Sequence, residues 1–176
     1  MKIFRIAVSV VAAAIAAVLA YAATQPDRFE VQRSTSIRAS AERIFPFIND
    51  LRTFNTWNPF DKKDPSTKGT YSGPESGKGA AYAFESSQAG TGRLEIADAA
   101  SPSRVTMRLT MIKPLAADNR VQFILQPQGD MTRVTWAMDG DVPFVGKLIH
   151  LFVDMDRMVG QEFAAGLAEL KLKAER

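Results

Sequence analysis

The sequence predicts an α+β fold in which a curved antiparallel β-sheet wraps around one long C-terminal α-helix, with two short helices after the first strand. Between residues 80 and 139, segments that alternate apolar and polar side chains follow one another with short turns, which is typical of an antiparallel meander with one wet face. Residues 144–174 then repeat apolar side chains every three or four positions, as an amphipathic helix does. Such a helix buries its stripe most economically across the concave face of the sheet.

An apolar leader, residues 1–25, precedes the domain that we expect at residues 26–176. Lys2 and Arg5 stand before an uncharged run, residues 6–23, whose length is near the lower limit of roughly 17–25 residues for a bilayer span. As an uncleaved anchor it would keep its basic flank in the cytoplasm and place the domain on the periplasmic or extracellular side.

The same leader is compatible with a secretory signal peptide. Ala20, Tyr21 and Ala22 form an A-x-A-like cleavage site, so the domain would be secreted or periplasmic after cleavage near Ala22. The high alanine content makes the span weakly hydrophobic and favours cleavage. We expect the anchor and keep the signal peptide as the alternative.

Composition excludes several classes of function. Hydrophobic residues make up 46% of the chain, which is enough for a packed core. The formal charge of +3 comes from scattered and opposed charges, so no nucleic-acid partner is expected. Without cysteine the chain has no disulfide, thiol nucleophile or cysteine-ligated metal. We expect no cofactor, and the oligomeric state stays open.

The elements before the meander follow from local signals. Residues 29–38 alternate with a period of two and predict a strand. Ser40 is an N-cap candidate for a short helix that Pro46 limits, and a second short helix is expected at residues 51–57. Residues 61–79 are rich in Lys, Gly, Pro and Ser and predict a long loop with a small strand near residues 70–72.

The meander strands are predicted at residues 80–85, 92–98, 105–111, 120–126 and 131–139. The turns between them are predicted at residues 102–103, 118–119 and 128–130, where Pro, Asp, Asn and Gly cluster.

The C-terminal helix is predicted as one element. Its apolar stripe comprises Leu148, Phe152, Met155, Val159, Phe163, Leu167 and Leu170. Gly160 and Gly166 lie inside it, and each costs about 1 kcal/mol relative to alanine. Close approach of the helix to the sheet and room for a ligand are two explanations for this cost.

One helix does not fill the concave face of six or seven strands, so we expect a cavity between them, and apolar clefts with a few polar groups are the usual small-ligand sites. Aromatic and methionine side chains are suited to line it, since Tyr and Trp carry polar groups and Met adapts its shape. The alternative is that they are plain core. The candidate ligand-binding residues are Trp57, Tyr71, Tyr82, Phe84, Met107, Trp136, Met155, Val159 and Phe163.

The chain shows no recognisable catalytic or metal motif. His150, the single histidine, has Asp154 one helical turn later, but a metal site normally needs three or four ligands. No nucleophile-elbow, zinc-protease, P-loop or dinucleotide fingerprint is present. We therefore assign no catalytic residue and no metal site.

An ordered set of modest motifs resembles a known superfamily. It comprises the strand-to-helix step at residues 37–45, Trp57-Asn58-Pro59-Phe60, Tyr71-Ser72-Gly73, residues 132–136 with Met138-Asp139-Gly140, and Gly166-Leu167 with Leu170-Lys171. Over about residues 29–173 the chain resembles the SRPBCC superfamily of START-like and polyketide cyclase–dehydratase-like proteins, whose fold is the helix grip. Relatives with such a leader often keep it, which favours the anchor.

The architecture, the resemblance and the lack of a recognisable cyclase acid–base constellation together favour a function in binding rather than catalysis. We expect an apolar small molecule or lipid in the helix-grip cavity at the cell envelope, because the bilayer is where such ligands reside. A cyclase- or dehydratase-like enzyme is one alternative, since such enzymes hold a flexible chain in a reactive conformation. A non-catalytic envelope module that binds another protein is the other.

Overall fold

The computed structural model describes residues 2–176, with side chains from Phe4 onward. The helices are α1 (Lys2–Ala23), α2 (Ala41–Ile44), α3 (Pro46–Asn49), α4 (Leu51–Asn55), α5 (Pro59–Lys62), α6 (Phe144–His150) and α7 (Met155–Ala174). The strands are β1 (Arg28–Ile37), β2 (Lys68–Ser72), β3 (Ala81–Ser86), β4 (Gly90–Ala100), β5 (Arg104–Lys113), β6 (Ala117–Gln128) and β7 (Met131–Asp141). The strands form one antiparallel sheet in the order β1-β7-β6-β5-β4-β3-β2.

The sheet and the C-terminal helix confirm the predicted α+β helix-grip architecture. Because the sheet is antiparallel, residues that face each other across strands form rows on its inner face. One row, which we call the central row, runs through Arg33, Trp136, Phe123 and Val105. Helix α7 packs mainly on β1, so it covers the inner face from one side.

The region between β1 and β2 contains a series of short helices instead of the two predicted. Pro46 and Pro59 each occupy a first-turn position, where the missing N–H costs nothing and a new helix begins. Ser40, Asp50 and Asn58 accept backbone N–H bonds as N-caps of α2, α4 and α5. Frequent caps and prolines therefore divide the segment into single turns.

The turn predicted at Asp118 and Asn119 is wrong. Both residues lie in β6, where Asp118 pairs with Thr110 and its carboxylate accepts from the Arg108 guanidinium. The chain reverses earlier, after Pro114. The β-hairpin is longer than predicted because this cross-strand ion pair extends the ladder past the Asp-Asn signal.

The predicted single C-terminal helix is divided into α6 and α7, and residues 151–154 connect them. The Asp154 carboxylate accepts from the backbone N–H of Arg157 and caps the start of α7. Phe152, predicted in the buried stripe, lies in the connector with 83% of its surface exposed. The capping aspartate begins a new helix where the apolar periodicity alone predicted continuity.

The two glycines of α7 allow close approach between the helix and its neighbours. A Cβ at Gly166 would lie 2.7 Å from the Trp136 ring and 2.9 Å from Pro59 Cδ. A Cβ at Gly160 would collide with the Arg33 guanidinium, which binds the Asp156 carboxylate at 2.9 Å. Close packing thus accounts for both glycines.

Candidate ligand-binding site

The deep half of the inner face is filled by aromatic rings of the protein itself. Trp57, Trp136 and Phe163 are at most 3% exposed, and the rings of Trp136 and Phe163 stack at 4.1 Å. Phe54 and Phe123 pack edge-to-face against Trp57, with ring centroids 4.8 and 5.9 Å from that of Trp57. This aromatic cluster is the floor of the space between sheet and helices.

A wall of three aromatic side chains rises from this floor at the β2–β3 side. The Tyr71 ring lies 4.7 Å from that of Tyr82, which stacks on Phe84 at 6.1 Å. The Tyr82 hydroxyl donates to the Asp61 carboxylate at 2.6 Å. Burial and Asp61 raise the pKa of Tyr82, so its phenol is a firm hydrogen-bond donor and a poor acid at neutral pH.

The loop that follows Asp61 and helix α5 is fixed by a buried carboxylate. Asp64 is 4% exposed and accepts from the hydroxyls of Ser66, Ser86 and Ser87 and from the Ser87 backbone N–H. These hydrogen bonds, those from Ser66 first, lower the pKa of Asp64 well below its usual range. Asp64 thereby ties the loop after α5 to the β3–β4 hairpin.

Asp64→Asn should remove a pH-dependent part of the stability. Because the folded state depresses the pKa of Asp64, its contribution is present above the unfolded pKa of about 3.9 and is lost as the pH falls through the lower folded value. We expect the variant to unfold at lower urea than the parent at pH ~7, with the difference narrowing as the pH falls below ~4. Urea titrations at several pH values measure this.

Asp130→Asn is the control, because the side chain of Asp130 is 78% exposed and should leave the pH profile unchanged. A pH-independent deficit in Asp64→Asn would contradict the linkage.

The inner face is more open at the end near the β5–β6 turn. Phe84, Gly92 and Met111 face one another in register, and Phe84 and Met111 keep intermediate exposure. Leu109, in the next row, is also partly buried. Helix α7 starts level with Arg33 in the central row, because Asp156 in its first turn binds Arg33. The outermost rows therefore extend beyond the start of α7, and we call them the open end.

Two side chains of α7 border the open end. Met155 packs partly buried against the core. Met158 is 51% exposed and stands one turn before Glu162, whose carboxylate pairs with Lys63 in the loop after α5. Residues four apart share a helix face, so Met158 points toward the same side as Glu162. The rim of the open end thus carries flexible, apolar thioethers.

Two residues with inner-face positions on the sheet carry a buried polar atom without a partner. The Trp136 indole N–H and the Asn119 amide oxygen form no hydrogen bond with any described residue. Asn119 is 8% exposed and lies beside Leu109 in the β5–β6 register. An unsatisfied buried polar group costs about 1–3 kcal/mol, which a bound ligand or water can relieve.

The predicted site residues fall into two groups. The floor contains Trp57, Met107, Trp136, Val159 and Phe163, all buried. The wall and rim contain Tyr71, Tyr82, Phe84 and Met155. That they contact a ligand stays a prediction.

Sequence reasoning did not single out Asp61, Leu109 and Asn119, which the structure adds to the candidate site. Leu109 and Asn119 follow from the strand alternation once the register is known. Asp61 fell in the loop predicted at residues 61–79, where the sequence shows no partner for its carboxylate. His150, whose ring lies 6.2 Å from that of Phe29, belongs to α6 and not to this site.

Comparison with known proteins gives the family. A model of the family described as polyketide cyclase / dehydrase and lipid transport matches residues 28–175. The chain therefore belongs to this family, within the SRPBCC fold that its sequence motifs resemble. No curated protein matches it.

Solved structures with the same fold come from several bacteria. A protein of Chromobacterium violaceum is 12% identical with a TM-score of 0.59, covering 86% of this chain and 99% of its own. A Rhizobium loti protein is 22% identical with a TM-score of 0.56, covering 85% and 97%. The Aha1 dimer of Colwellia psychrerythraea is 15% identical with a TM-score of 0.60, covering 84% and 96%. These likenesses show the fold alone.

Proposed function

We propose that residues 26–176 bind an apolar small molecule or lipid at the open end of the helix grip. The observation that carries the proposal is the set of partly exposed apolar side chains, Phe84, Leu109 and Met111, in two adjacent rows on the inner face of the sheet. Apolar surface left partly open inside a concave fold gains free energy when a ligand covers it, by about 25 cal/mol per Å². The family includes lipid transport, which is consistent with such a ligand.

The unpartnered polar atoms define the ligand further. The Asn119 oxygen needs a donor and the Trp136 N–H needs an acceptor. Asn119 lies beside Leu109 at the open end, whereas Trp136 belongs to the floor, so a ligand above the floor that satisfies Asn119 carries a hydrogen-bond donor, such as a hydroxyl, on an apolar body. The aromatic floor already fills the deepest space, so the ligand lies above it and not within it.

We place this function at the cell envelope. The helix segment Phe4–Ala23 has a mean hydropathy of 2.4 and is long and apolar enough to cross a membrane. We propose that it stays uncleaved, with Arg5 on the cytoplasmic side and the domain on the opposite side, following the positive-inside rule. A membrane anchor would hold the domain where apolar ligands are most concentrated.

Met111→Glu tests the proposed site. The wild-type fragment 26–176, made in bacteria, should carry a stoichiometric apolar mass in native mass spectrometry that organic extraction releases. A carboxylate at the open end should lower its occupancy at least about tenfold, because burying an unpaired charge is costly. Ile112→Glu is the matched control, since Ile112 is the next residue on β5 and is 60% exposed.

Each outcome has a meaning. Loss of the mass in Met111→Glu but not in Ile112→Glu supports the site. Equal occupancy in both variants would place the ligand elsewhere. A fragment that stays empty after incubation with fatty acids and polyketide-like ketones would overturn the binding function. Conversion of such a ketone would instead favour the cyclase- or dehydratase-type enzyme, for which the paired Tyr82 hydroxyl and Asp61 carboxylate offer polar groups at the wall.

A further inference from the structure

Helix α6 lies against the end of α1 and the segment that follows it. Lys147 of α6 is 8% exposed, and its ammonium binds the Asp27 carboxylate at 2.6 Å. The backbone N–H of Val142, just before α6, donates to the Asp27 carbonyl at 2.7 Å. Ala22, in the last turn of α1, is fully buried, and α6 contacts α1. The position of α6 relative to the end of α1 is therefore determined.

This end of the domain exposes large apolar side chains. Phe144 and Val145 of α6 are 46% and 57% exposed, and Phe152 of the connector is 83% exposed. Clusters of exposed apolar side chains on a small domain mark an interaction surface. We call residues 144–155 the α6 surface.

The occupant of this surface follows from its neighbour. Helix α1 has only 6% of its apolar window buried by the domain, which leaves its sides for lipid. Residues 24–27 join α1 to β1, a reach of at most about 14 Å at ~3.5 Å per residue. Because α6 touches the end of the span, its exposed Phe and Val side chains lie at the depth of the headgroups once α1 crosses a bilayer. Phe side chains on interfacial helices bury at the boundary between headgroups and acyl chains.

We propose that the α6 surface docks onto the same bilayer that α1 crosses, with Phe144, Val145 and Phe152 inserted among the lipid headgroups. The inference rests on the proposed anchoring by α1 and is independent of the ligand at the open end. Nearby charges are largely paired, such as Lys147 with Asp27 and Arg33 with Asp156, so the docking is apolar in character.

A surface cavity lies between the α6 surface and the core. This cavity of about 390 Å³ lies along His150, Leu151, Phe152, Val153, Asp154 and Met155. Met155 packs against the core, while Phe152 faces outward. A docked α6 surface thus places one side of this cavity at the lipid and the other beside the rim of the open end.

The absence of cysteine from the chain makes site-specific labelling direct. Val145→Cys and Phe152→Cys, made in the full chain, would each carry an environment-sensitive NBD label. The labelled chains are reconstituted into vesicles of three parts phosphatidylcholine to one part phosphatidylglycerol. Leu172→Cys is the matched control, because Leu172 is equally apolar and 57% exposed at the far end of α7. Val11→Cys reports on α1.

We expect shallow nitroxide-labelled lipids to quench labels at residues 145 and 152 several-fold more than the label at Leu172, with a blue-shifted emission. Equal quenching at all three positions, while Val11→Cys is quenched strongly by deep nitroxides, would overturn the docking and leave the anchor intact. Absence of quenching at Val11→Cys would overturn the anchor and the docking together. Ligand occupancy of Met111→Glu tests the binding site separately.

Discussion

Replacing Trp57 with alanine should lower the free energy of unfolding by about 3–5 kcal/mol, the usual cost of deleting a fully buried aromatic side chain. Trp57 is 0% exposed and packs against Phe54, Phe123 and Trp136 at ring distances of 4.8 to 5.9 Å. Its indole N–H also donates to the Phe47 carbonyl at 2.8 Å, which the variant leaves unsatisfied. Urea unfolding of fragment 26–176, followed by circular dichroism, measures the change.

Two further variants separate the causes. Trp57→Phe keeps most apolar contacts and loses the hydrogen bond, so it should cost about 1–2 kcal/mol. Leu172→Ala removes an exposed side chain of α7 and should stay within about 0.5 kcal/mol of the parent. A loss in Trp57→Ala as small as that of Leu172→Ala would show that the aromatic cluster does not hold the short helices on the sheet.

Gly166→Leu should destabilise the domain by about 3 kcal/mol. A side chain at this position meets the Trp136 ring and Pro59 within 3 Å, and neither is the flexible end of a side chain. Leucine is the better helix former by about 1 kcal/mol, so a net loss measures a packing conflict larger than that gain. The expected readout is a lower urea midpoint and altered near-ultraviolet dichroism from Trp136.

Ala165→Leu is the matched control, because Ala165 precedes Gly166 on α7 and is exposed. Its free energy of unfolding should stay within about 0.5 kcal/mol of that of the parent. If Gly166→Leu proved as stable as Ala165→Leu, the close approach of α7 to Trp136 and Pro59 would be wrong.

The sheet and its inner face could be predicted from the sequence because burial on one face imposes a strict period of two. The alternation of Val105, Met107 and Leu109 therefore appears in β5 as predicted, with the side chains turned to the core. The family resemblance and the match over residues 28–175 agree with that pattern. The same alternation predicted that Tyr82 and Phe84 lie on one face of their strand.

The errors arose where a local signal competed with another. Asp118-Asn119 reads as a turn, but the Arg108–Asp118 pair and Pro114 place the reversal earlier. The stripe through Phe152 reads as one helix, but the Asp154 cap starts a new one. Partners far apart in sequence, such as Asp61 with Tyr82 or Arg33 with Asp156, have no periodic pattern that reveals them.

The four residues that join α1 to β1 set a limit on what the domain can deliver. If α1 stays in the membrane as we propose, a tether of this length permits no shuttling across an aqueous gap, because the start of the domain stays within about 14 Å of the end of α1. An anchored chain of this design would meet its ligands only by lateral diffusion in the plane of the membrane. Transfer of a ligand to a second protein would require that protein to bind at the same membrane.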